Sequence, residues 1–346
     1  GLVKVILVAG IILLALPGGD QSAIFQLSFA YLLSATMGMM LIRNSSRFMK
    51  KGEVDDEIIV EFHETSRQFM PYIAFTGLVL SLVKVLLWLF TTPDDALETL
   101  GIYFGAQRIT IFIAASAVSI QSLLGDALGQ YIKAGDDGSI SGALRMTERY
   151  VSLVVLPVAA FYVLFSGDLL MAFLGEGFSD ASIAVAILAG AGFFTAMASP
   201  HLAYLLKADR IRELSASTGL ALLVLVVLLL LLIPTYFLAS TDIHGINSTA
   251  ISILASSIVC YVSARYYTFK ILDCRPHRRI LAHLLCAALM MVVIRFLIWY
   301  FNITLELKWI LLFALIGTFI YGLGLYLSGE MLREDYTEFK KLTGSD

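Results

Sequence analysis

The chain has 346 residues, 59% of them hydrophobic and only 15% charged, with a mean hydropathy of +0.85. Soluble domains run at about 45–50% apolar and about 25% charged, so a water-soluble fold of this length is excluded and the bilayer is the natural solvent. The net charge of −3 is too small to point to any partner, and no basic patch suggests nucleic acid.

A spanning helix needs about 20 mainly apolar residues. Runs of this kind are predicted at 2–17, 23–42, 68–90, 101–124, 150–172, 181–206, 213–235, 245–268, 280–301 and 307–328. The fold class is therefore all-α, a polytopic membrane protein of about ten transmembrane helices. The first run starts at Gly1 with no charged leader and no small-residue cleavage site, which reads as a truncated span and not a signal peptide. The polar stretch between the second and third runs carries Ile58, Ile59, Phe62 and Phe69, a pattern suited to an amphipathic helix on the membrane surface. Pro157 and Pro200 should kink the fifth and sixth helices. The seventh run is apolar on all sides and should face lipid over much of its surface.

Orientation follows from the loop cations. The even connections hold Arg43, Arg47, Lys50, Lys51 and Arg67; Lys133 and Arg145, with Arg149 at the edge; Lys207, Arg210 and Arg212; and Lys270, Arg275, Arg278 and Arg279. The odd connections are nearly free of cations, with only Lys308 at an edge. Both ends of the chain are thus expected in the cytoplasm, and the location is the cytoplasmic membrane.

Charge inside a span is costly and marks candidate function. Lys84, Arg108 and Arg295 stand out. Lys84 and Arg108 each lie roughly 9–10 Å from the outer ends of consecutive helices at 1.5 Å per residue, so antiparallel packing should bring them to one level. The Arg108 helix carries Gly101, Gly105, Arg108, Phe112, Ala115, Ser119, Ser122 and Asp126 along one stripe, opposite Ile102, Ile109, Ile113 and Ile120. Such a stripe lines a tight helix contact or a watery cavity, and an arginine in it favours the cavity. Its planar fork also matches phosphate. Gly101, Gly105, Ser119 and Ser122, with Ser81 on the Lys84 helix, are the cavity-lining candidates. Lys84 either faces that cavity or snorkels to the headgroups, and Arg295, beside Phe296 and Trp299, is expected to snorkel. Asp126 is a gate or coupling candidate, and otherwise a solvated helix end.

The histidines at 63, 201, 244, 277 and 283 are scattered along the sequence, and Cys260, Cys274 and Cys286 form no ligand cluster. No HExxH, GxSxG, P-loop or DxD run is found. No catalytic residue, metal or cofactor is expected, and the chain is not read as an enzyme.

Several short motifs appear in order over 68–272. They are Arg67-Gln68-Phe69-Met70-Pro71, Gly101-Ile102-Tyr103-Phe104-Gly105-Ala106, Gly135-Asp136 followed by Leu156-Pro157, Phe173-Leu174-Gly175-Glu176-Gly177-Phe178, and Tyr204-Leu205-Leu206-Lys207-Ala208-Asp209. In order and spacing they resemble the polysaccharide or oligosaccharide flippase family, within the multidrug/oligosaccharidyl-lipid/polysaccharide exporter superfamily. The resemblance implies helices 5–14 of a two-lobed, 14-helix transporter that lacks its first four helices. The domains would be 1–45, a remnant of the first lobe; 46–67, a cytoplasmic amphipathic linker; 68–272, the second lobe; and 273–346, two C-terminal spans and a tail. It also implies alternating access and a role in polysaccharide biosynthesis at the cell envelope. The implied partners are a lipid-linked glycan, membrane lipid and a coupling cation. Arg108 carries over as the substrate phosphate-binding residue, with Lys84 second. A drug/cation antiporter of the same superfamily and a multipass glycolipid-modifying enzyme are the alternatives.

Overall fold

A computed structural model describes Tyr72 and residues 82–87, 96–237, 242–275, 277–303 and 306–330. The chain divides into two units, Gly1–Glu64 and Thr65–Asp346. All described residues belong to the second unit; the runs at 2–17 and 23–42 and the polar stretch before 65 lie outside them.

Every described element is helical: α1 (Ala96–Ala134), α2 (Asp137–Leu164), α3 (Ser166–Leu174), a 3-10 turn (Glu176–Ala181), α4 (Ser182–Lys207), α5 (Ile211–Phe237), α6 (Asp242–Leu272), α7 (Arg279–Phe301) and α8 (Leu307–Leu327). Six of the described helices are long and apolar enough to cross a membrane: α2, the 3-10 turn with α4, α5, α6, α7 and α8. Four predicted spans, from the sixth to the ninth, agree with α4 to α7 to within a few residues, and the tenth agrees with α8. Of the third run, only Tyr72 and the helical residues 82–87 are described.

The fifth span differs. It begins at Asp137 instead of 150, stops at Leu164, and hands over to the separate helix α3. The polar stretch before 150 is therefore the first part of α2 and not a loop. Its start is fixed locally. Gly135 takes φ +68°, a left-handed turn that ends α1 at no steric cost. Asp136 then caps α2, accepting hydrogen bonds from the Ser139 amide at 3.1 Å and the Ser139 hydroxyl at 2.6 Å. These two bonds hold its carboxyl below the ordinary aspartate value. The helices run on through Pro157 and Pro200.

The bundle is built on α4 and α6, which pack along each other, with α5 against α6 and α1 and α2 against α4. Tyr103, Leu170, Val185, Leu225, Leu229 and Ile233 close one core. α7 and α8 pair with each other and lean on α2 through Phe165, Met290, Ile294, Phe313 and Tyr321. The outward faces are bare hydrocarbon: Leu220, Leu223 and Val227 on α5, Leu281, Leu285 and Val292 on α7, and Leu311, Leu315 and Phe319 on α8 are exposed. Patches of that extent are an aggregation liability in water and a fit to lipid. Cys260, Cys274 and Cys286 are buried free thiols.

Small residues set the close crossings. A Cβ placed on Gly192 of α4 would lie 3.0 Å from Cγ2 and 3.3 Å from Cβ of Ile113 on α1. The branched Ile113 side chain has little room to turn away. Gly192→Val is therefore expected to destabilise the fold by about 1–3 kcal/mol, read as a lower unfolding temperature of the purified protein.

Candidate functional site

On α1 the pattern of small and polar residues opposite isoleucines has a clear structural outcome. Ile109 and Ile113 are buried inside the bundle, whereas Gly101, Phe104, Arg108, Ile111 and Phe112 form an exposed face. Arg108 makes no ion pair with any described residue. The Lys84 ammonium sits 4.6 Å from the centre of the Phe104 ring, a cation–π contact. Phe104 lies one helical turn, about 6 Å, before Arg108. The Lys84 ammonium thus meets α1 at Phe104, one turn before Arg108.

The proposed lining residues separate. Gly101 is exposed, with open space where a Cβ would be. Gly105 is buried, and a Cβ there would lie 2.6 Å from Leu174 Cδ1 and 3.0 Å from the Phe178 ring. It therefore lets α3 and the 3-10 turn close down on α1, a packing position and not an open one. Ser119, Ser122 and Asp126 lie on α1, but their side chains, like Ser81, fall outside the described residues.

Arg295 is exposed on α7 and lines an open groove with Val163, Leu164, Met291, Val292, Phe296 and Trp299. It also faces Asp168 on α3. Burial raises the Asp168 carboxyl above the ordinary value, while its own amide and the Arg295 guanidinium pull it back.

Two ionic clusters went unforeseen, because the histidines that look scattered in sequence are gathered in space. In the first, Glu148 of α2 is completely buried and pairs with Arg265 of α6; His201 Nε2 of α4 lies 2.7 Å from the same Glu148 oxygen. In the second, Glu330, just past α8, pairs with Arg149 of α2. Its other oxygen is 3.3 Å from Arg279 Nε, and His283 Nε2 lies 3.1 Å from the first. Arg149 Nη2 also donates to the Glu330 carbonyl at 2.9 Å, and Ser152 Oγ is 2.7 Å from His283 Nδ1. Gly329, at φ +73°, turns the chain so that Glu330 reaches back. Nearby, burial and then the Arg149 charge push the His277 imidazole below its ordinary value. It remains an acceptor, taking the Arg279 amide at 3.3 Å.

Arg149, expected at the edge of a loop, is thus a buried residue inside α2. The signal available in the sequence was Arg265, a charge within the apolar run 245–268 that meets the same criterion as Lys84, Arg108 and Arg295. Ser248, Ser252 and Ser256 are buried in helix contacts, and Ser256 Oγ donates to the Ala221 carbonyl of α5 at 2.8 Å.

No family model matches the chain, and no curated protein matches it in sequence. Among solved structures, the fold is similar to that of the lipid II flippase MurJ in an inward closed conformation. The TM-score is 0.66 at 14% identity, over 94% of this chain and 65% of that one. At that identity the likeness establishes a shared fold, and this chain spans just under two thirds of the flippase's length.

Proposed function

We propose that this chain is the larger part of a membrane transporter that flips lipid-linked oligosaccharide or polysaccharide precursors by alternating access, from the cytoplasmic membrane toward the cell envelope. The observation that carries the reading is the exposed Arg108 on α1, with the half-buried Lys84 of the preceding helical segment brought against Phe104 one turn away, in a fold shared with a lipid flippase. A diphosphate-linked glycan lipid offers a long apolar tail, a polar sugar and a concentrated negative charge. Arg108 supplies a fork for one phosphate, and Lys84 adds a point charge at the same level. Gly101 beside them leaves open space. Ser81, Ser119 and Ser122 complete the proposed lining, and Asp126 remains the proposed gate or coupling residue.

The chemistry asked of the protein is recognition and movement, with no bond made or broken in the substrate. Cells lacking the full-length protein should therefore accumulate structurally unaltered lipid-linked glycan on the cytoplasmic leaflet, measured by leaflet-selective labelling and mass spectrometry. A glycan of changed structure would instead mean that the protein is an enzyme.

A further inference from the structure

Deep in the bundle, the Glu148–His201–Arg265 cluster has no part in the substrate-facing surface of α1. The Glu148 side chain is 0% exposed, His201 1% and Arg265 14%. They come from three different helices, α2, α4 and α6. His201 lies six residues before the end of α4, and Arg265 seven before the end of α6, or roughly 9–10 Å in from the basic end of the bundle.

The hydrogen-bond arithmetic is restrictive. An imidazole nitrogen and a carboxylate oxygen 2.7 Å apart need one proton between them. Arg265 can only donate, and it pairs with Glu148 while its Nη1 stands 3.3 Å from His201 Nε2. The consistent assignment puts the proton on His201 Nε2, aimed at ionised Glu148, with Arg265 cationic and the cluster neutral in sum. That leaves His201 Nδ1 and Glu148 Oε2 as bare acceptors, both buried and without a hydrogen-bond partner among the described residues. An unmet buried acceptor is expensive. Here two such acceptors stand in a site whose resident guanidinium repels any metal cation.

We propose that Glu148, His201 and Arg265 form an intramembrane proton-binding site, in which a proton taken up at His201 Nδ1 displaces Arg265 from Glu148. The incoming proton makes His201 an imidazolium, which then satisfies the carboxylate that Arg265 held. Arg265, the member with residual exposure, is released toward the surface. No covalent bond other than N–H forms, and the proton comes from water at the basic end. The groups facing His201 are Glu148 from α2 and Arg265 and Tyr261 from α6. Among the described residues, α1 and α5 bring no charged group to it, and Cys274 lies by Arg265. Occupancy of the site therefore alters the contact between α2 and α6 across α4.

The test is a pH titration by infrared difference spectroscopy of the purified full-length protein in lipid nanodiscs, with ring-labelled histidine. His201→Gln is expected to remove one titrating imidazole signal of the wild-type set. Arg265→Gln, which removes the competing cation, should raise the midpoint of that signal by about one pH unit, a tenfold gain in proton affinity. Glu148→Gln should lower it. An unchanged set of signals in His201→Gln overturns the site. Should that variant fail to fold, an unmoved midpoint in Arg265→Gln overturns it equally. The inference does not depend on the transport reading. A protein inactive in flipping that still shows these shifts would keep the proton site and lose the proposed function.

Discussion

On the proposed function, Arg108→Ala in the full-length protein should lower export of lipid-linked glycan about 10- to 100-fold, the loss expected when one charge-assisted hydrogen bond to phosphate, about 1.5–3 kcal/mol, is removed. Because Arg108 is exposed and bonded to no described carboxylate, its removal leaves no buried charge behind, and protein abundance in the membrane should not change. Arg108→Lys keeps the charge without the fork and should fall between. Lys84→Ala should cost less, since its ammonium is already engaged with the Phe104 ring. Arg295→Ala is the control: its guanidinium faces Asp168 in a separate groove between α2 and α7, and export should be near that of wild type. The assay is accumulation of lipid-linked glycan together with membrane abundance of each variant. Wild-type export by Arg108→Ala would remove the phosphate-binding role.

Glu330→Gln should be the most destabilising single change outside the core. Its side chain is 1% exposed and sits against two guanidiniums and an imidazole drawn from α2 and α7. Deleting one member of a buried pair typically costs about 3–5 kcal/mol, because the partner charge stays in place without compensation. Thermal unfolding of the purified protein should show a markedly lower midpoint. Hydrogen exchange should show opening confined to α7, α8 and the facing part of α2. The double change Arg149→Met, Glu330→Met should recover part of the loss, since the buried Arg149 charge goes with its partner and only the partly exposed Arg279 loses a counter-charge. A single variant as stable as wild type would show that the apolar contacts of α2 with α7 and α8 suffice alone.

Much of the fold was legible in the sequence, for a simple reason. From α4 to α8, each helix is an apolar run of membrane length closed by turn residues or cations, so length and hydropathy are enough. The start of α2 was not legible. Its first turns carry Arg145, Glu148 and Arg149, which by composition read as a loop; only the burial of Glu148 and Arg149 against partners from other helices makes them helix interior. Those partners lie 53 and 181 residues away, a separation that no local periodicity encodes. On α1 the division into two faces was readable, but not which one turned inward. Ile109 and Ile113 went to the protein core, and of the two glycines, Gly105 went to close packing while Gly101 stayed open.

Glu148 and Arg149 are consecutive on α2, so their side chains leave the helix about 100° apart. One is held by α4 and α6, the other by Glu330 just past α8, which itself pairs with Arg279 and His283 of α7. The helix is thereby pinned against axial torque from two directions at a single level. It cannot spin to relieve one cluster without wrenching the other. This end of the unit should accordingly travel as one stiff block during any conformational cycle, and compliance has to be sought nearer the opposite end, where α2 breaks at Phe165 into α3.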